Sequence, residues 1–216
     1  SELDLSQIRR CKVFNYTPLS FEFDYPIAKA AELALAEAHS AGVMTAFDSN
    51  YRFPYEDMKV YHAVQDAIYS AQILKLSQDD IRYFMKEENV FSACEKLLAG
   101  NAKIVAFTMG TSGSLLYTHK GWSYRPAYRV NALHTTGAGD SFMGALIYLL
   151  THETDNIEEL SVLDLERIGD FCNACAAAST MKRGSLLVMP TLPQIEHVLK
   201  TAPRIETQFD KIHKTF

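Results

Sequence analysis

The sequence has no apolar run approaching the roughly 18 residues that a membrane span requires. Its first residues, Ser1-Glu2-Leu3-Asp4, lack the basic-then-apolar pattern of a secretion signal. It also has no basic block. Lys plus Arg number 21 against 26 Asp plus Glu, a formal charge of −5, which makes nucleic acid a poor partner because that association is driven by cations displacing counterions from phosphates. Cys11, Cys94, Cys172 and Cys175, four cysteines in 216 residues, are no disulfide framework. No repeat, low-complexity tract or Ser/Gly linker interrupts the chain. With 48% hydrophobic and 22% charged residues, the expectation is a soluble, cytoplasmic, single globular domain over residues 1–216.

What is present is a recurring pattern of helix, glycine and short apolar strand. Ile27 to His39 is rich in alanine and leucine, follows Pro26 and stops at Gly42; Val43 to Phe47 then reads as a strand ending in Asp48. Ser92 to Glu95 has capping-box spacing and leads through Leu97-Leu98 to Gly100, before a strand at Lys103 to Thr108. Lys12 to Phe14 and Ile73 to Leu76 are two more candidates. Continuously apolar strands separated by helices predict a parallel sheet covered on both faces. Ser112-Gly113 and Lys120-Gly121 predict turns joining a short antiparallel edge. Ser141 to Leu150, Asp164 to Met181 and a segment from Thr191 read as further helices. The expected architecture is a three-layer α/β/α core with a mostly parallel sheet and an antiparallel edge.

In open α/β sheets, ligands bind beyond the carboxyl ends of the strands. The sharpest polar segment there is His134-Thr135-Thr136-Gly137-Ala138-Gly139-Asp140-Ser141-Phe142. Two glycines let backbone N–H groups converge at a helix start, where the dipole also favours an anion. Asp140 sits in that hole. The segment is neither a P-loop, which needs Gly-Lys-Ser/Thr, nor a dinucleotide fingerprint, since Phe142 takes the third glycine's place. On spacing alone, an acidic cap on a Gly-rich turn accounts for it equally well.

Thr135 to Phe142 resembles the C-terminal signature of the PfkB, or ribokinase-like, carbohydrate kinases. Asp48-Ser49-Asn50-Tyr51-Arg52 is similar to that family's Asp-Pro-Asn-x-Arg, and Thr108 to Gly113 to its Thr-x-Gly-x-x-Gly. Asn173 to Gly184, followed by Pro190-Thr191, resembles its small-residue helix ending in a basic pair and glycine. The match runs in order from about Cys11 to Leu199 and looks most like the fructokinase and ketodeoxygluconate kinase branches. The resemblance implies ATP- and Mg²⁺-dependent phosphorylation of a sugar hydroxyl, with fructose ahead of 2-dehydro-3-deoxygluconate and ribose. Asp140 would take the hydroxyl proton, while the Gly137, Ala138 and Gly139 amides stabilise the transferring phosphoryl. Thr108, Gly110 and Gly113 would line the nucleotide, Asn173 would lie near the adenine, and Asn50 and Arg52 would meet the sugar. A homodimer is implied for the full-length form.

Two residues depart from the family pattern. Ser77-Gln78-Asp79-Asp80 stands where the family has Asn-x-x-Glu, which arranges metal and phosphates; by itself, Ser77 with Asp80 is a helix cap. His134 replaces an Asp that helps ribokinase hold a monovalent cation. Residues 1–20 show nothing like the family's sugar-gripping acid, its Gly-Gly-x-x-x-Asn segment or its β lid. The expectation is therefore a C-terminal fragment or a natural truncation with the lid absent, and the other function open to it is a kinase-like nucleotide-binding module acting through a partner. Cys172-Asn173-Ala174-Cys175 reads as a buried small-residue helix rather than a zinc or redox site, no histidine spacing predicts a metal site, and Glu153 to Glu159 reads as a solvated loop.

Overall fold

The computed structural model describes residues 4–22, 27–50, 57–154, 156–184 and 189–207. The chain forms two compact units, residues 1–106 and 107–216. Six strands make a mixed, mostly parallel sheet with an antiparallel edge, in the order β1 to β6.

The first unit contains α1 (Leu5–Arg9), β1 (Val13–Tyr16), α2 (Leu19–Glu22), α3 (Ile27–Ser40), β2 (Met44–Asp48), α4 (Met58–Ser70), β3 (Ile73–Ser77), α5 (Gln78–Asp80), a π-helical turn (Ile81–Met85), α6 (Val90–Leu98) and most of β4 (Ile104–Thr108). β1 pairs with β2 and β2 with β3, both parallel, with Val13 opposite Met44 and Ala46 opposite Ile73. Each crossover carries a helix, as a parallel connection requires. Phe47, Ile73, Leu74, Leu76 and Ile104 are fully buried, which is why these strands read as unbroken apolar runs. Gln72 knits the sheet at its amino end. Its side-chain oxygen accepts from the Thr45 amide at 3.1 Å, and its carbonyl accepts from Lys103 and Ile104 at 2.8 and 3.2 Å.

One expected cap is corrected. α6 begins at Val90, with Asn89 accepting from the Phe91 and Ser92 amides. Ser92 lies inside the helix and donates instead to Glu87 at 3.0 Å. Asn is as good an N-cap as Ser, and here it stands at the chain reversal.

The second unit contains the rest of β4, β5 (Ser114–Thr118), β6 (Gly121–Arg125), α7 (Ala138–His152), α8 (Val162–Thr180) and α9 (Leu192–Thr201). β5 and β6 are antiparallel, with Ser114 opposite Arg125 and Thr118 opposite Gly121. α8 packs against β5, β6, α7 and α9. It opens with a capping box between Ser161 and Asp164, and its Leu165, Ile168 and Cys172 are buried. The glutamates of the acidic segment are exposed, as a solvated loop requires, with one apolar anchor. Ile157 is buried within a 3-10 turn, Glu153 pairs with Arg167, and Glu159 lies 3.3 Å from Lys120. The apolar Ile157 supplies the anchor that its charged neighbours conceal.

Gly113 closes the β4–β5 turn at φ +97. A Cβ there would strike the Arg125 carbonyl oxygen and come within 2.8 Å of the Ala127 nitrogen, whereas one at Gly110, at φ +56, would meet open space. Gly113→Ala is therefore expected to cost several kcal/mol, in the range of about 3–5 for combined backbone strain and overpacking. Gly110→Ala should cost only the left-handed penalty of about 1–2. Denaturant unfolding of the two variants checks the difference.

Candidate active site

In the first unit, the carboxyl ends of β2 and β3 form a buried polar cluster. Asp48 and Lys75 make an ion pair at 2.6 Å, their side chains 3% and 9% exposed. Asn50 holds φ +34, a left-handed geometry that Asn tolerates, and its amide donates to Asp48 Oδ1 at 3.1 Å. The buried Ser49 hydroxyl donates to the Lys75 carbonyl at 3.2 Å. Ser77 and Asp80 form the capping box that their spacing predicts: Asp80 Oδ2 accepts from the Ser77 amide at 2.6 Å and its hydroxyl at 2.5 Å. Asp80 Oδ1 is buried and meets no hydrogen-bond partner among the described residues. Burial raises the Asp80 pKa above the ordinary carboxylate value, opposed by the hydrogen bonds from Ser77 and by the charge of Lys75. Arg52 lies outside the described residues.

In the second unit, Thr108, Gly110, Gly113, Ala138, Gly139 and Asn173 line one cavity of about 400 Å³. The residues marked out from Thr108 to Gly113 and at Asn173 thus share a wall with the start of α7. Gly137 caps that helix at φ +87. The Ala138 amide donates to the Thr135 carbonyl at 3.2 Å, and Ser141 makes the first full helical bond, to Gly137, at 2.8 Å. The amides of Gly139 and Asp140 meet no acceptor among the described residues, so two N–H groups and the helix dipole are available to an anion. The Asp140 side chain is exposed in the same turn. His134, from the preceding loop, has Nδ1 3.2 Å from the Gly184 carbonyl oxygen.

Asn173 is buried, and its Nδ2 donates to the Arg125 carbonyl at 2.9 Å and the Pro126 carbonyl at 3.4 Å. Three residues earlier on α8, Asp170 receives both Nε and Nη2 of Arg125, at 2.5 and 2.7 Å. Much of the remaining lining is apolar, including Val130, Phe142, Ala176 and Ala177. Along α8, Asn173 and Thr180 are seven residues apart, ~10 Å of helix. The Thr180 carbonyl accepts the Leu133 and His134 amides at 2.8 and 3.2 Å, on the loop leading to Gly137. The cavity therefore combines largely apolar walls with the anion-favouring start of α7.

The sequence reading did not find the Lys75–Asp48 pair; its one visible signal is a lysine inside the apolar run Ile73-Leu74-Lys75-Leu76. Nothing local marks Asp170 or Arg125. The C-x-x-C thiols are buried in the helix: burial pushes Cys175 up to about 11 and Cys172 upward too, and the Cys175 thiol donates to the Ser141 carbonyl at 3.4 Å. Among the described residues, no group of three or more His, Cys, Asp or Glu is gathered to hold a metal, and no helix is long and apolar enough to cross a membrane.

The strands of the first unit thus end in a polar cluster, and the second unit holds a cavity lined in part by the start of α7. The chain belongs to the pfkB family of carbohydrate kinases, whose sequence pattern matches residues 16–192. It is 30% identical over 206 residues to fructokinase-2 of Solanum lycopersicum, covering 93% of this chain and 61% of that one. It is 29% identical over 211 residues to fructokinase-2 of Zea mays, covering 94% and 60%. The fold matches the fructokinase of Xylella fastidiosa solved with ATP, with a TM-score of 0.79 at 20% identity, over 92% of this chain and 64% of that one. It also matches the Vibrio cholerae fructokinase solved with fructose, ADP and calcium, with a TM-score of 0.77 at 21% identity, over 92% and 65%. The chain thus spans about 60% of the length of the curated relatives it matches.

Two outcomes follow for the first unit. Lys75→Met leaves the Asp48 carboxylate buried without its cation and is expected to cost about 3–5 kcal/mol, most of it recovered in the Lys75→Met/Asp48→Asn pair; urea unfolding of the three variants checks this. For Asp80, the folded pKa lies above the unfolded one, so the folded state binds the proton more tightly. Its contribution is fully present below the unfolded pKa, near 3.8, and is lost as pH rises through the raised folded value. Relative to Asp80→Asn, wild-type stability should therefore fall as pH climbs from about 3.8, as read from denaturant midpoints.

Proposed function

We propose that this chain carries the nucleotide-binding and phosphoryl-transfer part of an ATP-dependent sugar kinase, with fructose as the acceptor and Asp140 as the base. The observation that carries this reading is a single cavity that joins Thr108, Gly110, Gly113 and Asn173 to the start of α7. Family membership and relatives named as fructokinases support the choice of reaction and acceptor.

In this reading Thr108, Gly110, Gly113 and Asn173 enclose the nucleoside and exclude water from it. The Gly139 amide, backed by the α7 dipole and the turn at Gly137 and Ala138, receives charge developing on the transferring phosphoryl. Of the three amides expected at this position, that of Ala138 already serves the Thr135 carbonyl; its part is to shape the turn. Asp140, exposed in the first helical turn, accepts the proton of the sugar hydroxyl as that oxygen attacks. Asn50 and Arg52 hold the sugar, while Ser77 and Asp80 serve the metal–phosphate group through the spare Asp80 Oδ1. Mg²⁺ on the nucleotide would neutralise phosphate charge. The donor set fits such an ion, which keeps several waters and takes only one or two protein carboxylates.

The closure of Asp80 Oδ2 by Ser77 favours a second reading: a module that binds nucleotide without turnover and acts through a partner. Fructose phosphorylation and ATP binding separate the two. On the first reading, Asp140→Asn lowers kcat by ~10²–10⁴-fold with ATP affinity and melting temperature little changed. A folded Asp140→Asn protein turning over within a few-fold of wild type removes the base assignment. A wild-type protein that, with the family's N-terminal third restored, binds ATP but phosphorylates no sugar establishes the module.

A further inference from the structure

The segment after α9 runs back along the cavity. Pro203 accepts from the Arg129 amide at 2.8 Å, and the Ile205 amide donates to Ala127 at 2.9 Å. Tyr128 and Arg204 form an antiparallel bridge between these bonds. The Arg204 side chain fastens the segment three ways: Nη2 to Asp170 at 2.6 Å, Nη1 to the Pro126 carbonyl at 3.0 Å, and the guanidinium stacked 3.9 Å over the Tyr128 ring. Beyond it, the Tyr124 hydroxyl donates to the Ser112 carbonyl at 2.5 Å and lies 2.6 Å from the Thr207 hydroxyl. One hydroxyl thus joins the segment's end to the Gly110–Gly113 loop.

Ile205 is half-buried and lines the cavity. Ile205 stands four residues beyond α9, outside any helix. It is held there by backbone bonds on its own residue and by the Arg204 anchor beside it. Asp170, which receives Arg204, stands three residues before Asn173 on α8, and Asn173 bonds the Arg125 and Pro126 carbonyls next to Ala127, so the segment adjoins the Asn173 side of the cavity.

We infer that Pro203–Thr207 is a strap forming the base-side wall of the nucleotide cavity, with Ile205 deciding how tightly the base is held and Arg204–Asp170 serving as its latch. This rests on the nucleotide reading above. The strap lies beyond the family pattern, which ends at residue 192, so the general kinase signature does not specify this wall. A flat aromatic base packs against an aliphatic side chain by excluding water from both. Widening, filling or releasing the wall should therefore change affinity for the nucleotide and leave the fold intact.

The test is calorimetric titration of the 216-residue chain with ATP and Mg²⁺, beside thermal melting. Ile205→Trp, whose indole projects into the cavity, is expected to weaken ATP binding at least about tenfold, while Ile205→Val stays within about threefold, both melting within a few degrees of wild type. Arg204→Gln, which frees the strap, should weaken ATP binding several-fold. A residue that matters only for packing would lower the melting temperature and would not separate the Trp from the Val variant. Wild-type binding of ATP with Ile205→Trp binding equally well overturns the strap and leaves the nucleotide reading standing. A wild-type chain that binds no ATP overturns both.

Discussion

The carboxylate of Asp170 receives two guanidinium groups at once, Arg125 from the end of β6 and Arg204 from the segment after α9. The cavity of the second unit depends on that arrangement. Arg125 and Pro126 begin the cavity wall, and without a partner their carbonyls would sit unpaired beside an apolar space. Asn173 and Arg204 satisfy them. A partly buried, bidentate pair of this kind is stronger than a surface bridge because its geometry is fixed and little water competes. Gly169, next to Asp170, keeps α8 close enough for the bond: a Cβ there would meet the Arg125 side chain at 3.0 Å.

The first unit resolves a different problem. Parallel strands buried on both faces end in backbone groups and side chains that must change from apolar to polar within one residue. Asp48 and Lys75 do so as an ion pair, and Ser77 and Asp80 as a capping box that starts the next helix. Such pairs add little net stability over apolar packing, but removing one partner strands a charge. The arrangement thus specifies which charges sit at the strand ends more than it strengthens the sheet. Among the described residues Asp80 Oδ1 has no partner, unlike Oδ2, which Ser77 closes.

Much of the architecture was legible because its signals are local. Val43 to Phe47, Ile73 to Leu76 and Lys103 to Thr108 are continuous apolar runs, and all proved to be strands of a mostly parallel sheet. The Ser77–Asp80 cap also followed from spacing. The start of α6 did not: Asn89 and Ser92 are both competent caps, and the Glu87–Ser92 bond that decides between them forms only once the chain has turned. The charged residues from Glu153 to Glu159 were legible as solvent-facing, while the one anchor, the buried Ile157, was hidden by their charge.

By itself, the sequence determined the order of helices and strands, the glycine-framed start of α7 with Asp140 in its first turn, and the kinase family, because each is written in contiguous residues with short-range physical consequences. Only the tertiary structure decided that Lys75 neutralises Asp48 across neighbouring strands, and that Asn173 serves a carbonyl 48 residues away. It alone drew Arg204 and Ile205 from beyond the last helix to the cavity. These choices depend on which backbone groups burial would otherwise leave unpaired, and that is known only when distant segments are packed together.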